Sequence, residues 1–370
     1  MSATHGDTTQ QRWMIYGANG FTGVLVAEEA KRRGHRPVLA GRNAEKLKPL
    51  AARLGLAWQV VDLTDPVALT QALAEVDLVF HAAGPFVDTS AAMVSACLAT
   101  GTHYVDITGE VSVFRETFAL DAQARAINVV LMSGVGFDVV PTDCLAAYVA
   151  KHLPGIVSLE IAIAGVGGVT AGTAKSMLDG AGAGVLARRN GALVAQAFGK
   201  GGKRVRFSDR ERSVLPIPWG DLESAYRSTG VPNITTYMAF PRQLAEGAAS
   251  AWPLAAAGAP VLKLLLGQPK IRGALGKLID SQVKGPSAEQ REAGRSYVWV
   301  RGADAEGETR EAWLEVAEAY TFTARSGVLA VERILAAPAL CGALTPAQGF
   351  GEDFVLDVEG SRRLDAISEG

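Results

Sequence analysis

The feature that most constrains this chain is a turn with three glycines, Gly17-Ala18-Asn19-Gly20-Phe21-Thr22-Gly23, set between a short apolar run and a helical stretch. Trp13-Met14-Ile15-Tyr16 precedes it as a strand. Residues 21–33 follow with Val24, Leu25 and Ala27 at helical spacing, and Gly34 stops them. The unit then recurs. Pro37-Val38-Leu39-Ala40 reads as a strand, and Asn43 caps a helix running to about Leu54. Trp58-Gln59-Val60-Val61 is the third strand, and Asp65-Pro66 opens a helix with proline where a missing N–H costs little. Leu78-Val79-Phe80-His81, Tyr104-Val105-Asp106-Ile107 and Asn128-Val129-Val130-Leu131-Met132 complete six strands, with helices expected over 89–99 and 111–127. Strands separated by helices of this length specify a parallel, doubly wound α/β sheet.

Composition narrows the function classes. The formal net charge of -2 argues against a polyanion-binding protein held by a global basic field. Cys97, Cys144 and Cys341 lie far apart with no metal-ligand or CxxC spacing, which suits a reducing cytosol better than a disulfide framework. The five histidines are scattered, so no metal is expected. The first dozen residues are polar and lack the apolar core of a secretion signal, and a cytoplasmic location is expected.

Open parallel sheets bind ligands outside the carboxyl ends of their strands. Those tips are the 17–23 turn, Gly41-Arg42, Asp62, Ala83-Gly84-Pro85-Phe86, residues 106–110 and residues 133–138. At the first tip Gly17 permits the tight turn, Gly20 the close approach of a pyrophosphate, and Gly23 the packing of helix on sheet. Asn19, Phe21 and Thr22 complete that turn, and the helix beginning there offers unpaired N–H donors to an anion. The spacing is GxxGxxG rather than GxGxxG, so its place between first strand and first helix carries the dinucleotide reading. NADP(H) is favoured over NAD because the second tip, Ala40-Gly41-Arg42-Asn43, has no acid before Glu45. Arg42 can fork onto a 2′-phosphate and Lys46, one helical turn on, can add charge.

At this point the motifs can be matched to a family. Tyr16 to Gly23, Ala40-Gly41-Arg42-Asn43, Ala82-Ala83-Gly84-Pro85-Phe86 and Tyr104-Val105-Asp106-Ile107-Thr108-Gly109-Glu110 resemble the saccharopine dehydrogenase-like oxidoreductases. The similarity is greatest to the branch that includes the trans-acting enoyl reductases. Gly134-Val135-Gly136-Phe137-Asp138-Val139-Val140-Pro141-Thr142-Asp143 resembles that branch's GFD-x-x-P-x-D segment. So do Gly285-Pro286 with Arg291, and Leu344-Thr345-Pro346-Ala347 with Gly349-Phe350-Gly351. The resemblance implies a Rossmann NADP-binding domain over residues 12–145, an inserted α+β substrate domain over 146–320, and C-terminal segments over 321–370 that return to the first domain. It implies no particular substrate.

The second half changes character. Residues 158–164 alternate like a strand of a mixed sheet, and 165–184 are rich in glycine, alanine and serine, resembling the family's region around Gly172, Thr173 and Ser176. Tyr297-Val298-Trp299-Val300 and Ala312-Trp313-Leu314-Glu315-Val316 read as two strands joined by a polar loop over 302–310, and 322–336 as a helix docking on the first half. Residues 188–212 carry a dense set of arginines and lysines, read either as a solvated face or as a site for an anionic substrate handle such as that of a carrier-bound chain. They lack the interleaved aromatics of a nucleic-acid binder. Residues 248–266 are alanine- and leucine-rich but broken by Pro253, Pro260 and Lys263, which suits core or an apolar substrate lining better than a spanning helix. Peripheral membrane contact and a homodimer stay open.

Hydride transfer needs the nicotinamide held about 3–3.5 Å from its acceptor, together with a proton donor or electrophile. Gly84, Pro85 and Phe86 are placed to flank the nicotinamide ribose, and Gly136 and Phe137 to lie near the ring. Asp138 is the first candidate for a polar catalyst, with a structural turn role as the competing reading. Tyr226 and Tyr237 are candidate donors from the second domain. His81 reads as a hydrogen-bonded core histidine, Asp106 and Glu110 as loop-ordering groups that also contact cofactor, and Asp143 as a cap on a helix over 144–152. The expected activity is NADPH-dependent reduction of an activated, enoyl-type double bond in a small, hydrophobic, lipid- or polyketide-like molecule. The competing readings are imine or carbonyl reduction on an amino-acid-like substrate, and a non-catalytic NADP-binding, lipid-associated adaptor.

Overall fold

In the computed structural model, which describes residues 12–165, 185–196, 201–243 and 285–367, the repeating units fold as expected. β1 (Trp13–Tyr16), β2 (Val38–Gly41), β3 (Trp58–Val60), β4 (Leu78–His81), β5 (His103–Asp106) and β6 (Val130–Met132) alternate with α1 (Phe21–Arg32), α2 (Ala44–Leu54), α3 (Pro66–Leu73), α4 (Phe86–Thr100), α5 (Val111–Ala119) and α6 (Asp121–Ala126). After α7 (Val140–Lys151) come β7 (Ile156–Ala164), β8 (Val185–Arg189), β9 (Ala192–Gln196), β10 (Lys203–Arg206), β11 (Glu211–Pro216), α8 (Asp221–Thr229) and β12 (Asn233–Ala239). The described chain resumes with α9 (Ala288–Ala293), β13 (Arg295–Asp304), β14 (Thr309–Ala317), α10 (Ala319–Ala336), β15 (Gly342–Ala343), α11 (Pro346–Phe350) and β16 (Arg362–Leu364).

The first sheet runs β15-β6-β5-β4-β1-β2-β3, every pairing parallel. Chain direction across the sheet therefore reverses beside β1, which makes the crevice between β1 and β4 the ligand position. The second sheet runs β10-β11-β12-β7-β13-β14-β16, with β8 and β9 branching from β12. It is antiparallel except where β12 pairs with β7. α7 packs on one of its faces, and the apolar core is continuous between the sheets. Ile15, Phe80 and Phe137 share a cluster with Leu145, Val298, Leu314 and Phe322. α10 lies against α1 and β4, pinned at its far end by Glu332, which accepts from Arg33 and sits 2.7 Å from His35 Nε2. β15 returns to the first sheet, whereas β16 joins the second.

Several boundaries differ from expectation for one reason, a partner distant in sequence. α4 begins at Phe86 rather than 89, because the Glu110 carboxylate accepts from the amides of Phe86 and Val87 at 3.3 and 2.7 Å. The helix expected over 111–127 breaks at Leu120. There Asp121 starts a new helix and accepts from the Ala343 amide at 2.8 Å. α7 starts at Val140, with Asp143 inside it. Asp143 caps another helix instead of its own, accepting from the Ala347 amide of α11 at 2.8 Å and from Ser228 at 2.5 Å. The loop expected over 302–310 shortens, since β13 and β14 pair as far as Ala303 and Thr309. The readings on residues 165–184 beyond Gly165, and on 248–266, lie outside the described residues. No helix among the described residues is long and apolar enough to cross a membrane.

Candidate active site

Tyr16, Ala40, His81 and Asp106 stand level in the register of the first sheet, so the turns that follow them open on one edge. Gly17 adopts φ +82°, and a Cβ there would meet Ala82 and Ala83 at 2.9 Å. At Gly23 a Cβ would stand 2.3 Å from the Gly17 carbonyl oxygen. Both positions admit only glycine, and they bring backbone where side chains would stand. Gly20, the extended N-cap of α1, offers no capping side chain, and the first turn carries no acid. Its leading amides are thus left for an exogenous anion. This cradle fits a dinucleotide pyrophosphate.

Arg42 and Lys46 are exposed at the tip of β2 and the start of α2. Among the described residues no hydrogen bond or salt bridge occupies either charged group. Asn43 is spent locally, its Oδ1 accepting from the Lys46 amide at 3.1 Å. Asn19 lies over Gly41, its Oδ1 2.9 Å from where a Cβ would be. Asp62 folds its own turn by accepting from the Thr64 amide and hydroxyl, each at 2.9 Å. Those bonds, with Arg42 nearby, hold its carboxyl below the usual value. A free guanidinium at this tip suits a 2′-phosphate. Arg42→Ala is expected to raise the KM for NADPH by roughly ten- to a hundredfold, the worth of a charge-assisted pair. The KM for NADH should stay within about twofold of its starting value on the same reasoning, as read by steady-state kinetics with each cofactor.

The other tips hold one another. Asp106, fully buried, accepts from Tyr104 Oη (2.8 Å), Ser133 Oγ (2.9 Å) and the amides of Thr108 (3.0 Å) and Gly134 (2.9 Å). It clamps the β5 loop to the β6 loop. His81 is the core histidine expected: burial holds it down to about 3, and its Nδ1 stands 3.2 Å from Tyr104 Oη. Phe86 is buried beneath it, with ring centroids 5.4 Å apart. The Gly84–Pro85 peptide is cis, and the Ala83 and Pro85 carbonyls both accept from Thr89. In the β6 loop Gly136 packs on Thr323, whose hydroxyl accepts from the Phe137 amide at 3.0 Å. The Phe137 ring turns into the core, edge-on to Phe322.

With Phe137 anchored inward, Asp138 stays half-buried in the loop between β6 and α7, its carboxyl against Gly109. Loss of hydration, then the nearby Glu110 carboxylate, push that carboxyl up to about 7. Trp219, which sequence reasoning passed over, donates its indole N–H to the Asp138 carbonyl at 2.5 Å. Only the Pro216-Ile217-Pro218-Trp219-Gly220 turn marked the spot, and nothing local ties it to a loop eighty residues earlier.

Neither candidate tyrosine is among the described contacts of Asp138. Tyr226 lies under the Arg188 guanidinium, 4.0 Å from its ring centroid. Tyr237 projects from the face of the second sheet opposite α7, in a cluster with Ala162, Trp299 and Trp313. Its hydroxyl donates to Glu160 at 3.2 Å, and burial raises it above its ordinary value. The basic stretch is largely paired: Arg188 with Glu223, Lys203 with Glu160, Arg204 with Glu211 and Arg212 with Asp209. Lys200 lies outside the described residues. Among the described residues no group of three or more His, Cys, Asp or Glu side chains could hold a metal ion.

Residues 13–132 match the family described as Saccharopine dehydrogenase NADP binding domain. The chain is 36% identical over 138 residues to a trans-acting enoyl reductase of Mycobacterium leprae, covering 35% of this chain and 33% of that protein. It is 33% identical over 138 residues to a trans-acting enoyl reductase of Mycobacterium tuberculosis, with the same coverage of 35% and 33%. The match thus spans about a third of the length of these curated relatives. The fold is that of apo saccharopine dehydrogenase (L-Glu forming) from Saccharomyces cerevisiae, with a TM-score of 0.63, 13% identity, and coverage of 96% of this chain and 100% of that one.

Proposed function

Because residues 13–132 form an NADP-binding domain of the saccharopine dehydrogenase type, we propose that the chain is an NADPH-dependent oxidoreductase acting on an activated, enoyl-type carbon–carbon double bond. The observation that carries this reading is the placement of Asp138, half-buried in the loop after β6 with its carboxyl against Gly109 of the β5 loop and its backbone held by Trp219; loss of hydration there pushes the carboxyl up to about 7. NADPH, when bound, supplies the hydride. The glycine turn and Arg42 are the residues that would hold it. Reduction of an enoyl group leaves a carbanion-like carbon next to its carbonyl, and that carbon must take a proton. A carboxylic acid whose pKa sits near the working pH is suited to give one. Trp219, half-buried against the apolar core, stands beside Asp138, in keeping with a lipid- or polyketide-like chain. The names of the two mycobacterial relatives support the enoyl assignment over the matched segment.

The test is NADPH oxidation over a panel of medium- and long-chain enoyl thioesters, cyclic imines and ketones. Turnover confined to the enoyl thioesters is the expected result. Turnover of imines or ketones alone would overturn the double-bond assignment. Tight NADPH binding without turnover of any class would instead leave a cofactor-binding adaptor.

A further inference from the structure

Arg291 belongs to the Gly285-Pro286 segment that the cofactor domain does not explain, yet it reaches that domain's phosphate turn. Its guanidinium lies 5.6 Å from the ring centroid of Phe21, the first residue of α1. The Phe21 ring in turn stands edge-on to Tyr320 at 5.1 Å, at the start of α10. Arg291 is steadied from its own segment. Ser287 caps α9 through a reciprocal pair with Gln290, and Arg291 donates from one guanidinium nitrogen to the Pro286 carbonyl at 3.0 Å. α9 is docked where Gly294 meets Glu318, the residue that caps α10 by accepting from the Tyr320 and Thr321 amides.

A cation fixed across the leading residue of an acid-free helix N-terminus has one evident complement there, the bridging diphosphate of the dinucleotide. We infer that Arg291 is a pyrophosphate ligand supplied from beyond the cofactor domain, so that the second half of the chain completes the dinucleotide site. The α1 amides and Arg291 would hold the diphosphate together, Arg291 through charge-assisted hydrogen bonds from its remaining N–H groups. This rests on the NADP-binding reading of residues 13–132 but not on the nature of the substrate.

The experiment compares three probes on the full chain by calorimetry: NADPH, 2′-phospho-ADP-ribose, and adenosine 2′,5′-bisphosphate, which lacks the pyrophosphate. Arg291→Gln should weaken the first two roughly tenfold and leave the third within about twofold, while Arg291→Lys recovers part of the loss. The thermal midpoint of the apo variants should match the parent. No loss with either pyrophosphate ligand would overturn the assignment. So would an equal loss with all three probes, or a fallen apo midpoint with no recovery in the lysine variant, since either marks a packing role. A parent chain that binds none of the probes would overturn the cofactor reading itself, and this inference with it.

Discussion

Replacing Asp138 with asparagine is expected to lower kcat by roughly 10²–10⁴-fold, the usual worth of a positioned general acid, while NADPH affinity stays where it was. Asparagine keeps the shape of the loop, the contact with Gly109 and the bond from Trp219 to the backbone carbonyl, so the loss isolates the proton. In the parent, kcat/KM should fall as pH rises through about 7, because the acid needed for the reaction is lost there. The variant should lack that limb. The sign carries over to stability. Asp138 is raised in the folded chain above its unfolded carboxylate value, so its contribution is intact at acid pH and lost as pH rises through about 7. Asp138→Asn should therefore gain thermal midpoint relative to the parent at pH 8.5 and not at pH 4. Retained kcat, or an unchanged alkaline limb, would remove Asp138 from the chemistry.

Asp106→Ala should cost about 3 kcal/mol or more in urea unfolding, because it orphans buried donors rather than merely deleting a contact. Tyr104, Ser133, Thr108 and Gly134 all donate to this one carboxylate. Tyr104 keeps His81 Nδ1 at 3.2 Å and Ser133 keeps Thr117 Oγ1 at 3.3 Å, but the buried Thr108 and Gly134 amides have no other partner among the described hydrogen bonds. The β6 loop carries Asp138, so activity at low temperature should fall beyond what the unfolded fraction explains. Asp106→Asn, which keeps the shape but turns one acceptor into a donor, should fall between. A loss below about 1 kcal/mol would mean that the loops hold each other without it.

How far the chain could be read from its sequence follows from the range of the interactions. Helices α2 and α3 start where they were expected because Asn43 and Asp65 cap their own next residues. The start of α4 was not visible, because its cap, Glu110, lies more than twenty residues away. The same distinction divides the site. The glycine turn and Arg42 are local signals, complete within a dozen residues of a strand. Asp138 could be placed because it follows the sixth strand, but its environment could not. Its environment depends on Glu110 and Trp219, which only the folded chain brings together. Tyr226 and Tyr237 were chosen for chemistry alone, and the second sheet turns Tyr237 onto the face away from α7. The basic stretch could be read as open to a ligand because two of its partners, Glu160 and Glu223, are distant in sequence.

The parallel sheet takes its last strand from Gly342 and Ala343, and α1 is covered by α10, so the recognisable N-terminal segment is not a detachable cartridge. Cut out on its own it would carry a bare β6 edge and an uncovered α1, which is an invitation to aggregate. Anyone recombining this chain with a relative should therefore move α10 and β15 together with the N-terminal segment, and keep β16 with its partner β14.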